Sequence, residues 1–480
     1  MPAFLSKYIK TIVAAAAVGV FLFFISIGSC QKDGFLSAAP TYFAEDGEEF
    51  SGGETTVFDQ SVNAFALPAP KLSSHDELLF FVGNSFFNQN WVQSPSSTTT
   101  RDGLGPYFNS RSCSGCHFKD GRGQPQASIG QLSQGLIIRL SVAGKGPHGE
   151  PVPESNYGLQ FQEQAIDGVN REGRYELIWQ EIAGNYPDGT SYILRKPEIN
   201  FTELNYGNLN DQIMISPRVA PQMIGLGLLE AISENTILKF ADENDTNGDG
   251  ISGRPNYVWN SIEQKNQMGR FGWKANQPTI LQQISAAFNG DIGITTPYFP
   301  NENLENSQKQ YENFSNGGSP EIENDDLEKM LLYSSTLAVP ARRNVDDKNV
   351  LAGKEIFKEV GCNACHIEKI QTGTHQKFSI LSDQTIRPFT DLLLHDMGEG
   401  LADNRPDFLA EGNEWRTPPL WGIGLFETVN KHTFYLHDGR ARNIEEAILW
   451  HGGEAENAKK EFQQLAKPQR EQLLIFLESL

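Results

Sequence analysis

Basic residues are in short supply in this chain. Its 60 aspartates and glutamates face only 39 lysines and arginines, giving a formal charge of −21 over 480 residues. So acidic a surface repels phosphate backbones and excludes nucleic acid as a natural partner. Long apolar runs are missing too, apart from residues 11–27, so nothing predicts a second membrane span. Cysteine is scarce, with five residues in all, which leaves too few for a disulfide framework. No internal repeat emerges beyond one pair of short motifs. What the chain does have is length, which suits two domains better than one core. It also has 45 glycines and 25 prolines, which predict much loop between short elements.

The N-terminus reads as a targeting segment. Lys7 and Lys10 make a basic start, residues 11–27 an apolar core, and Ile27, Gly28, Ser29 and Cys30 end it with small residues before a cysteine. This is a signal-peptide pattern for residues 1–30, and it resembles the lipobox of bacterial lipoproteins, which implies lipidation of Cys30. An uncleaved anchor helix is the alternative. Both predict a protein exported and tethered to the bacterial cell envelope, facing the periplasm or the outer surface. Residues 31–61 are polar, acidic and glycine-rich and read as a flexible tether.

The other four cysteines fall in two identical patterns. Cys113 and Cys116 precede His117, and Cys362 and Cys365 precede His366. A redox dithiol needs no histidine after its second cysteine. A four-cysteine zinc site would leave both histidines unexplained. Cys-x-x-Cys-His is the attachment pattern of c-type haem, with the sulfurs as thioethers and the histidine as proximal iron ligand. Two covalently bound haems c are therefore expected, with His117 and His366 on iron.

The separation of the motifs suggests an N-terminal haem domain over 62–340 and a C-terminal one over 341–480. Apolar residues at helical spacing predict helices near 325–339, 350–360 and 470–480. The fold expected is mainly α, two cytochrome c-like domains, the first enlarged by an insertion of mixed structure over 121–247 with a strand near 135–142. Within that region Asp245, Asn247, Asp249 and the carbonyl of Ile251, with Gly250 at the sixth position, resemble the start of a calcium loop. The twelfth position is Asn256 rather than glutamate, so the motif is incomplete.

Several stretches carry a family resemblance: FGWKA at 271–275, AFNGDIGIT at 287–295, HDMG at 395–398, TPPLWG at 417–422, YLHDGR at 435–440 and WHGGEA at 450–455. They resemble the di-haem oxidoreductase family, related to bacterial di-haem cytochrome c peroxidases. The resemblance implies Trp273 as the tryptophan between the haems, Gln283 as a substrate-orienting glutamine and Asp291 as the catalytic acid. The peroxidases use a glutamate slightly later, so Asp291 departs from their pattern. His451 stands where they have a methionine, and implies a bis-histidine second haem of lower potential. His395 and His437 match family motifs as hydrogen-bonding rather than iron-binding residues, and His148 is a candidate cap for the first haem.

The function implied is reduction of hydrogen peroxide at the first haem, with electrons passed through the second from a donor cytochrome or cupredoxin. The alternatives are an oxygenase or protein-modifying oxidase using dioxygen on the same scaffold, or a tethered electron-transfer cytochrome.

Overall fold

The computed structural model describes residues 42–126, 130–314 and 316–480. The signal peptide, Cys30 and residues 31–41 of the expected tether lie outside the described residues.

Two helix pairs set the frame. The helix Ser74–Asn88, capped by the Ser73 hydroxyl on the Asp76 amide at 3.1 Å, packs against Asn324–Thr336. The helix Lys348–Glu359, capped by Asp347 on the Asn349 and Val350 amides, packs against the C-terminal helix Lys467–Ser479. Each contact is made close by one glycine. A Cβ on Gly83 would lie 2.4 Å from the Lys329 carbonyl oxygen, and one on Gly353 would lie 2.0 Å from that of Gln472. Only glycine allows backbones to approach this near. One turn on from each glycine sits a phenylalanine that meets a ring on the partner helix: Phe87 with Tyr333 at 5.3 Å, and Phe357 with Phe476 at 5.2 Å.

The expectation of a mainly α fold does not hold. Helix makes up 29% and strand 19%, and the described strands form seven separate small sheets. Nor does the structure show cytochrome c-like domains. The longest strands, Gly173–Asn185 and Ser191–Leu204, form one antiparallel hairpin. Their β-branched and aromatic residues, among them Ile178, Trp179, Ile182, Tyr192, Ile193 and Phe201, suit a pleated surface. Asp188-Gly189 turns the chain, Gly189 taking a φ of +86° that an L side chain resists. An Asp-Gly between such runs is a strong hairpin signal, so this part of the mixed structure was readable. The strand near 135–142 is present as Leu136–Ser141, at the centre of a three-stranded sheet between Gln160–Phe161 and Met214–Val219.

The second half of the expected tether is instead built into the fold. Residues Ala44–Leu480 form one compact unit. Thr56–Val57 pairs in parallel with Val339–Pro340. Glu48 is fully buried and bridges Arg342 and Lys354, while Glu45 bridges Arg387 and Lys369. Burial alone would raise the Glu48 pKa, yet these cations hold it below the usual carboxylate range. Composition suggested a solvated tail because the cations that neutralise these acids lie some 300 residues further on.

Candidate functional site

Cys113 opens the short 3-10 turn Cys113–Gly115, Cys116 caps it, and His117 follows directly. Neither is in a disulfide, and burial pushes both thiols up to about 12. Burial lowers the His117 pKa to about 4, so its ring is neutral. Its Nδ1 lies 2.7 Å from the Pro221 carbonyl oxygen. A neutral imidazole must donate there, and that leaves the Nε2 lone pair free for a metal.

These three residues open onto a cavity of about 540 Å³, whose lining also includes Trp273, Gln283, Asp291, Arg139 and Gln160. That volume lies within the ~300–1,000 Å³ of small-molecule and cofactor sites. The structure thus brings together all three residues that the sequence offered for catalysis at the first haem. Gln283 lies on the helix Ile280–Ala287, and its side chain has no hydrogen-bond partner among the described residues. The helix continues as a π-turn, Phe288–Ile292, which carries Asp291. Such π-turns are frequent at functional sites. Burial raises the Asp291 pKa, while a hydrogen bond from Gln160 and the charge of Arg139 pull it back. Its carboxylate raises both cysteine thiols in turn, after burial itself, which marks it as their neighbour.

Trp273 is buried and lines the first cavity. Its Nε1 donates to the Val219 carbonyl oxygen at 2.7 Å, two residues from the Pro221 that orients His117. Its own carbonyl accepts from the Arg416 amide at 2.9 Å, and Arg416 pairs with Leu394 beside His395.

The second site follows the same plan. Cys362 and Cys365 flank the turn Cys362–Ala364, without a disulfide. His366 has its Nδ1 3.0 Å from the Phe389 carbonyl oxygen, and burial lowers its pKa to about 4. His451 caps the helix Ile444–Trp450, with its Nδ1 2.7 Å from the Ala447 carbonyl oxygen. Each acts on the same space: repulsion from His451 is among the causes that lower the His366 pKa, after burial and against the Phe389 bond. Both imidazoles are tied through Nδ1, which leaves each Nε2 uncommitted among the described residues.

His395 is not available for iron. Its Nε2 meets Asp391 at 2.8 Å and its Nδ1 meets Glu454 at 2.7 Å. Burial would lower its pKa, but the two carboxylates raise it well above the ordinary value, so the ring is a cation. His437 stacks on Trp415 at 3.7 Å, and burial lowers its pKa to about 4. His148 stacks on Trp259 at 3.7 Å at the lining of the first cavity.

Asp245, Asn247 and Asp249 share one exposed turn, where their oxygens accept from the turn's own amides: Asp245 from Gly250, Asn247 from Asp249, Asp249 from Ile251. Asn256, at the twelfth position, is buried elsewhere, against the carbonyls of Lys274 and Asp407.

The residues at both sites fit haem. Each offers two unpaired cysteines and an imidazole with an uncommitted Nε2. At the first, Arg139 keeps a buried Nε with no acceptor among the described residues, an orphan that a haem carboxylate would satisfy. Sequence reasoning missed Gln160, Asp391, Pro221 and Phe389. The last two act through backbone carbonyls, which leave no trace in residue identity.

Each of the two paired-helix frames carries one histidine-and-thiol site of the same make. The chain matches the family model described as "Di-haem oxidoreductase, putative peroxidase" over residues 46–143 and 184–480, and belongs to that family. No curated protein matches it significantly.

Proposed function

We propose that this di-haem oxidoreductase reduces hydrogen peroxide to water at the cavity beside His117, with electrons entering through the site of His366 and His451. The observation that carries this reading is the convergence of His117, Gln283, Asp291 and Trp273 on one cavity. Cys113, Cys116, Cys362 and Cys365 would hold two covalent haems c, and His117, His366 and His451 would serve as iron ligands. The haems, when bound, supply the electron transfer and the electrophilic centre for the peroxide.

The protein's own part is positioning and proton traffic. The Pro221 carbonyl fixes the ring orientation of His117. Gln283, with its amide uncommitted, orients the substrate by a hydrogen bond that a dry cavity strengthens. Asp291 takes the proton from one peroxide oxygen and gives it to the other, so that water leaves. Two electrons and two further protons complete the conversion of one peroxide to two waters. Trp273 lines the first cavity, and its backbone bond to Arg416 leads towards His395 beside Cys365, which suits it to carry the electron.

The reading includes a donor cytochrome or cupredoxin and a lipid anchor at Cys30 that holds the protein to the bacterial envelope. No described helix is long and apolar enough to cross a membrane. The test is peroxide consumption by the reduced holoprotein supplied with an external electron donor. Stoichiometric oxidation of two electrons per peroxide is expected. Holoprotein that binds cyanide at one haem yet consumes no peroxide with any donor overturns it.

A further inference from the structure

The family match stops at residue 143 and resumes at 184. The stretch between them is not idle, since His148, Glu150, Leu159 and Gln160 all line the first cavity. One of these side chains makes a bond that the family resemblance did not foresee.

Gln160 opens the short strand Gln160–Phe161, opposite Arg139 in the neighbouring strand. It is 4% exposed. Its Nε2 donates to Asp291 Oδ1 at 2.7 Å and to Asn109 Oδ1 at 2.6 Å, and lies 3.2 Å from the Gly290 carbonyl oxygen. Its Oε1 accepts from Arg139 Nη1 at 2.9 Å. Both ends of the amide are thus committed, which fixes its flip state and leaves it no second orientation. The backbone of the π-turn is held from the same side, because Gln162 Nε2 donates to the Gly290 carbonyl at 3.0 Å. The amides of Asn109 and Ser110 donate to the carbonyl of Asp291 itself at 2.8 and 3.1 Å.

We propose that Gln160, supplied by the segment outside the family match, is the positioning residue for the Asp291 carboxylate. It engages Oδ1 alone and leaves Oδ2 without a bond among the described residues, so one defined oxygen remains for proton exchange. Arg139 acts through the Gln160 carbonyl, polarising the amide and strengthening its N–H donors. The inference rests on the proton-carrying role given to Asp291 above.

The charged and titratable groups that face Asp291 are Arg139 on the strand Leu136–Ser141 and the Cys113 and Cys116 thiols. The thiols cease to titrate once they are thioethers. That leaves Arg139 and Gln160 as the influences a variant can change. Gln160 donates to the charged carboxylate and stabilises it, so removing the bond shifts ionisation of Asp291 to higher pH. Turnover that needs the carboxylate as a base is then lost at a higher pH as the medium is acidified.

The experiment uses the holoprotein with both haems in place. Asp291 is followed by infrared titration of its carboxyl, each protein being compared with its own Asp291→Asn counterpart, and turnover is followed across pH. In Gln160→Leu the carboxyl titration and the acid limb of turnover both move to higher pH. On the acid limb, turnover at a fixed pH falls by up to about tenfold, as expected for losing one bond to a charged group, and it recovers as the pH is raised. Gln160→Glu keeps the size and the Arg139 contact but sets a second carboxylate beside Asp291. It moves the titration the same way, and it serves if the leucine variant does not fold. A carboxyl titration unmoved in both variants, or a turnover loss equal at every pH, overturns the proposal. If the titration moves but Asp291→Asn turns over normally, the clamp is upheld and the proton role of Asp291 fails instead.

Discussion

Around His117, Gly83 lets two helices touch, Phe87 stands 6.2 Å from the imidazole ring, and a backbone carbonyl holds Nδ1. Around His366, Gly353 does the same work, Phe357 stands 6.2 Å away, and again a carbonyl holds Nδ1. The frames agree closely, so the chemistry must be set by what lies across from each histidine. At the first site that is an open cavity with an amide and a carboxylate. At the second it is another imidazole, His451, tied by its own Nδ1. On the reading proposed above, the same frame would serve a station open to a small oxidant at the first site and one closed by His451 at the second.

The largest test removes one side of the comparison. Cys113→Ala with Cys116→Ala should halve the pyridine haemochrome yield and abolish peroxide turnover, while the second haem keeps its spectrum. Zinc in place of haem in the parent protein would end the comparison altogether. The next test acts on the open station alone. Asp291→Asn keeps size but loses the base, so turnover should fall by about 10²–10⁴ while cyanide binding and both haem spectra stay as they were. A third opens the closed station. His451→Ala should convert a low-spin ferric signal to high-spin, and His451→Met should raise that haem's potential. Identical spectra in parent and variants would make His451 a packing residue.

Smaller effects probe the frames themselves. Gly83→Ala and Gly353→Ala each force a methyl against a backbone oxygen and should cost about 1–3 kcal/mol in denaturant unfolding. A larger loss is expected at Gly353, where the approach is closer. The frames also differ in one polar detail. Asp120 is buried beside the first, where the Tyr333 hydroxyl donates to it at 2.5 Å, and burial pushes its pKa up to about 7. The folded state then holds this proton more tightly than the unfolded chain, whose aspartate titrates near 3.9. The stability it confers is full below about pH 4 and is lost as pH rises towards 7. Asp120→Asn should flatten that slope and leave stability at pH 4 unchanged. The second frame, with Phe476 in place of Tyr333, has no such acid among the described residues.

The two Cys-x-x-Cys-His patterns and the helices near 325, 350 and 470 were legible in local spacing, whereas Trp273, Gln283 and Asp291, which meet at the first cavity, came only from the family resemblance. The repeat of the frame was not, since it rests on single glycines and on rings one turn away within otherwise dissimilar helices. The strand content was misjudged because the sheets are small, and their pairing partners, such as Thr56–Val57 with Val339–Pro340, lie far apart. Gln160 was invisible for a related reason. A lone glutamine becomes informative only when folding places it 2.7 Å from Asp291. Glu454 was present in a quoted motif, but nothing local says that its acid is spent on His395.

The buried Glu48 has a consequence for the order in which the molecule can be completed. Its hydrogen-bonding cation, Arg342, follows it by 294 residues. Docking it without Arg342 and Lys354 would bury an uncompensated charge. The leading segment therefore stays undocked until the second frame emerges, and closing it is among the last events of folding.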